Sequence, residues 1–447
     1  MPYIPHTDKD ISVILKAIGV SSLDDILGSL PAGLRVKGSL NLPKGLSEQE
    51  LKSLLKGLSG KNSTVEEYTS FLGAGAYNHY IPSVVASLIS RSEFYTSYTP
   101  YQPELAQGTL QAIFEYQTLV CQLTAMDVSN ASLYDGASAT AEAVLMARRI
   151  TGRHGVVLSS ALHPEYRDTV KTYLKGSGDH ISEVMYCTEE GRTLPGALEG
   201  AINDNTACVV VQHPNFFGSL EDVGELARII HEKKGLLIVV TNEAVSLGLL
   251  KPPGELGADI AVGDNQSFGN PLSYGGPHLG FMATKTEYIR QMPGRLVGQT
   301  VDKNGQTAFC LTFATREQHI RRERATSNIC TNHGLCALAA SIHMVSLGSK
   351  GLKTLALLNL SKAEYLKERL SSAGVKPAFT SQTFNEFTVK VEKDPDSLLK
   401  SLLKKRIMGG LSLKKFHPVL SSHLLVAATE LNSREEIDRF AEELAKA

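Results

Sequence analysis

The residues able to do chemistry in this 447-residue chain lie where apolar runs give way to polar ones. Tyr134-Asp135-Gly136-Ala137-Ser138-Ala139-Thr140 ends one such run with a glycine suited to a tight turn. Small and hydroxyl residues then open a helix whose first backbone N–H groups could hold an anion such as a phosphate. The segment is neither a P-loop nor a GxGxxG motif, and alone it is also an ordinary helix entry. His163-Pro164 follows the run 155–159, His213-Pro214-Asn215-Phe216-Phe217-Gly218 follows 207–212, and Thr241-Asn242-Glu243-Ala244 follows 236–241. Taken singly, each histidine is more often a satisfied core or surface residue. Taken together, these positions could stack on a planar ring, hydrogen-bond its edge and contact its nitrogen.

A second concentration is 65–108, where FLGAGAYNHYIPSVV and FYTSYTPYQPELAQG are rich in Tyr, Gly and Pro and poor in periodicity. This reads as a long ordered loop. Its rings either fill a subunit contact or line a pocket with hydroxyls, and the two readings are compatible. Metal chemistry has little support: 13 histidines and six cysteines show no HExxH, no CxxC and no comparable ligand spacing. Cys121 and Cys208 sit in apolar runs and read as buried free thiols.

The elements that must position these groups alternate. Helices at Thr109–Met126, Ala139–Ile150, Glu165–Leu174, Leu194–Ile202 and Val223–Glu232 are interleaved with apolar strands at Val128–Tyr134, Gly155–Ser159, His180–Met185, Ala207–Gln212 and Leu236–Thr241. Shorter strands at Asp259–Val262 and Leu279–Ala283 complete the series. Nearly continuous apolar strands between amphipathic helices predict a doubly wound α/β sheet, mostly parallel and covered on both faces. Residues 1–64 read as a helical arm, with Ser47 and Glu50 as a capping box, and 65–330 as the large α/β domain. Residues 331–447 read as a smaller α+β domain, with helices at Leu335–Leu347 and Lys353–Ala373 and a hinge near Lys350–Gly351. Thr326-Ser327-Asn328, after the basic run Arg321–Arg324, reads as a cap for the following helix.

Composition narrows the function classes. Apolar residues make up 42% and charged residues 20%, so a large core can be buried. Lys plus Arg (45) balances Asp plus Glu (46), which gives no electrostatic case for a nucleic-acid or membrane partner. Apolar runs such as Leu236–Val240 fall far short of the roughly 20 residues a membrane span needs, and no leader is evident. The expectation is a cytoplasmic protein.

The four polar segments together resemble the large domain of fold-type I pyridoxal-phosphate enzymes. The resemblance is closer still to glycine decarboxylase, the P-protein of the glycine cleavage system, and within it to the first, alpha, subunit of the two-chain form. It is carried by the two Tyr-rich stretches and by YDGASATAEA, VQHPNFFG, VGDNQSFGNPLSYGGPHLGFMA and RATSNICTN. It spans nearly the whole chain.

That resemblance implies an enzyme that decarboxylates glycine through pyridoxal phosphate and passes an aminomethyl group to the lipoyl arm of the H-protein carrier. It implies a homologous beta subunit and a site where the two subunit types meet, in an assembly of α2β2 type. For this site Asn78, His79, Tyr95, Tyr98, Tyr101 and Glu104 are the expected wall.

The departures are as informative. Where the family's catalytic half has an aspartate for the pyridine nitrogen, this chain has Asn242; where it has the Schiff-base lysine, this chain has Gln266. No lysine occurs between Lys251 and Lys285, and only a wrong register would make either of those the anchor. The cofactor is therefore expected covalently on the partner. Here Gly136, Ala137, Ser138, His163, Asn215, Asn242 and Gln266 are expected to form a degenerate pocket. The alternatives are a free-standing fold-type I enzyme and a purely structural or regulatory subunit.

Overall fold

The computed structural model describes residues 5–446 apart from 37 and 39. They form two compact units, Met1–Ser63 and Thr64–Ala447. In the first, helices Asp8–Ile18, Leu23–Ile26 and Glu48–Ser59 each start from a reciprocal capping box: Thr7 with Asp10, Ser22 with Asp25, and Ser47 with Glu50. Each box satisfies two backbone donors that a helix start would otherwise leave orphaned.

The second unit is built on seven strands: β1 (Val128–Ser129), β2 (Gly155–Ser159), β3 (His180–Val184), β4 (Thr206–Gln212), β5 (Leu236–Thr241), β6 (Ile260–Asp264) and β7 (Gly280–Thr284). Their order across the sheet is β1-β7-β6-β5-β4-β2-β3. The five from β6 to β3 run parallel, and β7 is antiparallel to both of its neighbours. Both faces are covered, which is why the strands lack polar alternation. Val209, Val211, Leu237 and Val239 pack into one core with helix Val223–Glu232. Cys208, Val210, Ile238 and Val240 face the other core with helix Gly136–Thr151. One strand thus feeds two cores.

Three features differ from the expectation. The strand expected over 128–134 stops at Ser129; Ser132, at φ 132°, turns the backbone, and only Leu133 rejoins the sheet, opposite Gly280. A hairpin of Leu296–Val301 and Thr307–Thr312, not anticipated because its outer residues are polar, packs on helix Gln107–Thr124. The expected cap at Thr326-Ser327-Asn328 is not one. Ser327 Oγ accepts only the Ile329 N–H, and the helix starts at Gly334 after His333 with no side-chain cap.

That helix, Gly334–Ser372, joins the two expected helices and is broken at Gly348 (φ 60°). It is apolar enough by composition to cross a bilayer, yet Ala340, Met344 and Ala356 lie in the large core and Ala363, Leu366 and Leu370 in a C-terminal one. The latter core also holds a three-stranded antiparallel sheet of Glu386–Lys390, Leu411–Ser412 and His423–Ala427.

Candidate functional site

The C-terminal ends of the parallel strands converge on an open cleft of about 630 Å³, lined by Ala74, Ser138, His163, Tyr166, Asp264 and His278 among others. In an open α/β sheet this is the ligand-binding edge. His163 comes after β2 and caps helix Pro164–Tyr173: its Nδ1 accepts the Glu165 N–H at 3.2 Å. Its Nε2 is therefore the donor, toward the Ala74 carbonyl at 3.1 Å. Burial holds the ring below its usual pKa, so it is neutral.

At the helix start, Asp135 is the cap, its Oδ1 accepting the Ser138 N–H at 2.7 Å. Gly136 donates its N–H to Asp264 Oδ2 at 3.2 Å, and Asp264 also bonds the Gln266 and Leu279 backbone N–H groups and His278 Nδ1. The anion at this helix N-terminus is thus the chain's own carboxylate. A cofactor phosphate would meet Asp135 and Asp264 there, with Ala137 and Ser138 beside them, and be repelled.

The ring position is no better suited. Gln266 is buried and engaged at both ends: Oε1 accepts the Tyr77 N–H at 3.1 Å and Nε2 donates to the Asn270 carbonyl at 2.7 Å. An amide held so cannot capture an aldehyde. Asn242 is buried and neutral, and neither amide atom has a partner among the described residues. A side chain at Gly75 would touch both Asn242 Nδ2 (3.3 Å) and His163 Cδ2 (3.5 Å), so the backbone at Gly75 lies against both the side chain expected to stack on a ring and the one expected at its nitrogen. Lys285 pairs with Asp259 at the opposite end of β6, and Lys251 lines a separate cleft with Glu190 and Asp222. These residues do not fit pyridoxal phosphate.

The segment Gly73–Tyr80 forms one side of this cleft, and buried ionisable groups pin it. Glu386, fully enclosed, accepts the Ala74 N–H at 2.6 Å and the Tyr77 hydroxyl at 2.9 Å. Burial, with the Glu243 charge adding to it, raises its carboxyl to about 8. His79 lies between Glu243 (3.0 Å) and Glu430 (2.8 Å), which Asn385 and Asn359 bond in turn. Burial alone would lower the imidazole, but the two carboxylates lift it to about 10, so it is a buried cation.

The expected wall residues therefore separate. His79 is an interior anchor and Asn78, half-buried, precedes it. Tyr95, Tyr98 and Tyr101 are 67%, 82% and 53% exposed, and Glu104 is exposed. Tyr95 and Tyr98 line a smaller cavity of about 280 Å³, and Tyr101 accepts a hydrogen bond from Arg295 at 3.1 Å. Asn215 lies outside the cleft lining: it bonds Gly191, Glu221, Phe217 and Ser219, leaving nothing for a ligand. Sequence reading missed Asp264, Glu386, Glu430 and Arg295. Only Asp264, at a strand end two residues before Gln266, carried a signal.

A family model for the glycine cleavage system P-protein matches residues 1–444. The chain belongs to that family. It is 51% identical over 444 residues to the "Probable glycine dehydrogenase (decarboxylating) subunit 1" of Carboxydothermus hydrogenoformans, covering 99% of both chains. It is 52% identical over 440 residues to the protein of the same name from Desulfitobacterium hafniense, covering 98% of both. Among solved structures, a glycine decarboxylase (P-protein) of the glycine cleavage system in inhibitor-bound form superposes with a TM-score of 0.92 at 42% identity over 100% of both chains. A sphingosine-1-phosphate lyase from Burkholderia pseudomallei, 15% identical, has a TM-score of 0.67 over 93% of this chain and 94% of its own. This member of the P-protein family therefore has the fold-type I architecture, with the open cleft set at the C-terminal ends of its parallel strands.

Proposed function

We propose that this chain is the first, alpha, subunit of a two-chain glycine decarboxylase and works with a homologous beta subunit that carries the pyridoxal phosphate. The observation that carries the reading is Gln266, an amide with both atoms engaged by the chain at the position of the Schiff-base lysine. The assembled enzyme releases carbon dioxide from glycine and passes the aminomethyl group to the lipoylated H-protein in the cytoplasm. Pairing of homologous subunits suggests α2β2.

Within that assembly this chain builds surface and does not anchor the cofactor covalently. The network on Glu386, His79, Glu243 and Glu430 fixes the segment Gly73–Tyr80, and the exposed Tyr95, Tyr98, Tyr101 and Glu104 form part of the wall of the partner's site. Exposed phenols have hydroxyls to offer a bound ligand and apolar faces to offer a partner.

The test is reconstitution. Glycine-dependent carbon dioxide exchange in the presence of H-protein is expected only when this chain is mixed with a homologous chain bearing the lysine. Full exchange by either chain alone contradicts the reading.

A further inference from the structure

Among the described residues, Arg295 is an enclosed cation, without an ion pair, beside a cavity. It follows Gly294, whose φ of 78° turns the chain ahead of the hairpin, and it is 5% exposed. Its Nη1 donates to Asn332 Oδ1 at 3.2 Å and its Nη2 to the Tyr101 hydroxyl at 3.1 Å, while Nε has no partner. Both partners are neutral, and Arg295 forms no ion pair with a described residue. Arg148 and Arg167 in the same unit each pair with a carboxylate. A cation–π contact with the Tyr101 ring, 5.4 Å from its centroid, offsets part of the burial cost. An enclosed cation without an anion is otherwise unfavourable.

The same guanidinium walls the cavity of about 280 Å³ between Tyr95, Tyr98, Thr331 and Leu335. The helix starting at Gly334 opens on this cavity, and no side chain caps it. Fourteen residues of regular helix precede the break at Gly348, enough for its first-turn N–H groups to favour negative charge. A buried unpaired cation and an uncapped helix start thus meet at one cavity large enough for a small molecule.

We infer that the cavity between Arg295, Tyr98 and the first turn of helix Gly334–Ser372 is a binding site for a small oxyanion, a carboxylate or a phosphate, held by the Arg295 guanidinium. The site belongs to the chain alone. Resting on the function proposed above, in the assembled enzyme the oxyanion is either the carboxylate of glycine or the phosphate of the partner's cofactor.

The experiment has two parts. The full-length chain alone is titrated with acetate and with inorganic phosphate at constant ionic strength in chloride, following the melting temperature and tyrosine emission (the chain has no tryptophan). Saturable stabilisation is expected, weakened about tenfold or more in Arg295→Gln, as for loss of a charge-assisted hydrogen bond. Should Arg295→Gln fail to fold, Ala112→Leu, which adds bulk to the cavity wall and keeps the charge, is expected to weaken binding several-fold. No saturable response in the wild type, or an equal response in the variants, overturns the proposal.

The second part uses the complex with the lysine-bearing chain. A raised KM for glycine with normal cofactor retention in Arg295→Lys identifies the carboxylate, and cofactor loss with unchanged KM identifies the phosphate. Neither change means that the anion site is not part of the catalytic centre, and the assignment to either source falls. Failure of the complex to turn over at all, with binding by the lone chain intact, counts against the proposed function and not against the site.

Discussion

Replacing Glu386 by Gln tests whether a protonated carboxyl pins the segment that lines the cleft. The wild-type group titrates at about 8 against an ordinary value of 4.5, because it is enclosed and faces Glu243. Below about pH 4.5 it is protonated folded and unfolded, and stability is unaffected. Between there and about pH 8 the unfolded chain ionises it while the folded chain keeps the proton, so stability falls as pH rises. At about 1.4 kcal/mol per pH unit over that range the full loss approaches about 5 kcal/mol, of which about 4 kcal/mol is reached at pH 8, where the folded group is half ionised. Glutamine keeps both bonds, its oxygen accepting from the Ala74 N–H and its amide donating to the Tyr77 hydroxyl, and it has nothing to ionise.

Urea unfolding followed by far-ultraviolet circular dichroism is therefore expected to show Glu386→Gln little different from wild type near pH 5 and more stable by about 4 kcal/mol near pH 8. His79 adds a separate decline in both proteins. Its raised pKa gives stability that is complete below about 6.5 and lost as pH approaches about 10. It therefore cancels in the comparison. A wild-type-to-variant difference that is the same at pH 5 and pH 8 refutes the reasoning, since it assigns Glu386 a fixed charge in the folded chain.

Three further outcomes follow from the geometry. Asn242→Asp combined with Gln266→Lys supplies the two groups that the resemblance places there in the catalytic half, yet the variant is expected to stay colourless with pyridoxal phosphate, because Gly75 still lies against residue 242 and His163 and Asp264 still takes the Gly136 N–H; a stoichiometric visible chromophore sinks that expectation. Gly218→Ala is expected to destabilise by about 3 kcal/mol or more in thermal melts, since φ is 87° and a Cβ would lie 2.0 Å from the Glu386 carbonyl oxygen. Tyr98→Phe, at a side chain 82% exposed, is expected to leave the lone chain's stability within about 0.5 kcal/mol while lowering glycine turnover in the assembled enzyme more than it weakens assembly. Loss of assembly with normal turnover in the residual complex reduces Tyr98 to packing.

The α/β framework was legible because it is written in local patterns. Runs such as Val209–Val211 and Leu237–Val240 are apolar throughout since each strand serves two cores, and Asp135, Thr7 and Ser47 are caps that act within three residues. The amides Gln266 and Asn242 were visible as residue identities, and that they replace a lysine and an aspartate is what the resemblance implies. What was not visible was long-range. Glu386 meets Tyr77 across 309 positions and His79 meets Glu430 across 351, so nothing near either residue indicates that one side of the cleft is pinned from the C-terminal sheet. The hairpin of Leu296–Val301 and Thr307–Thr312 escaped notice because its apolar side is divided: Leu296 enters one core, while Val297 with Phe309 and Leu311 packs on Leu110, Ile113 and Ala131, and its outer residues are polar.

On the function proposed above, this polypeptide does not anchor pyridoxal phosphate covalently. The direct measurement is borohydride reduction of the purified chain with pyridoxal phosphate, read by intact mass and peptide mapping, beside the lysine-bearing partner as a positive control. The account predicts one phosphopyridoxyl group on the partner and, on this chain, only scattered substoichiometric labelling of surface lysines. A single lysine of this chain modified at one equivalent contradicts it.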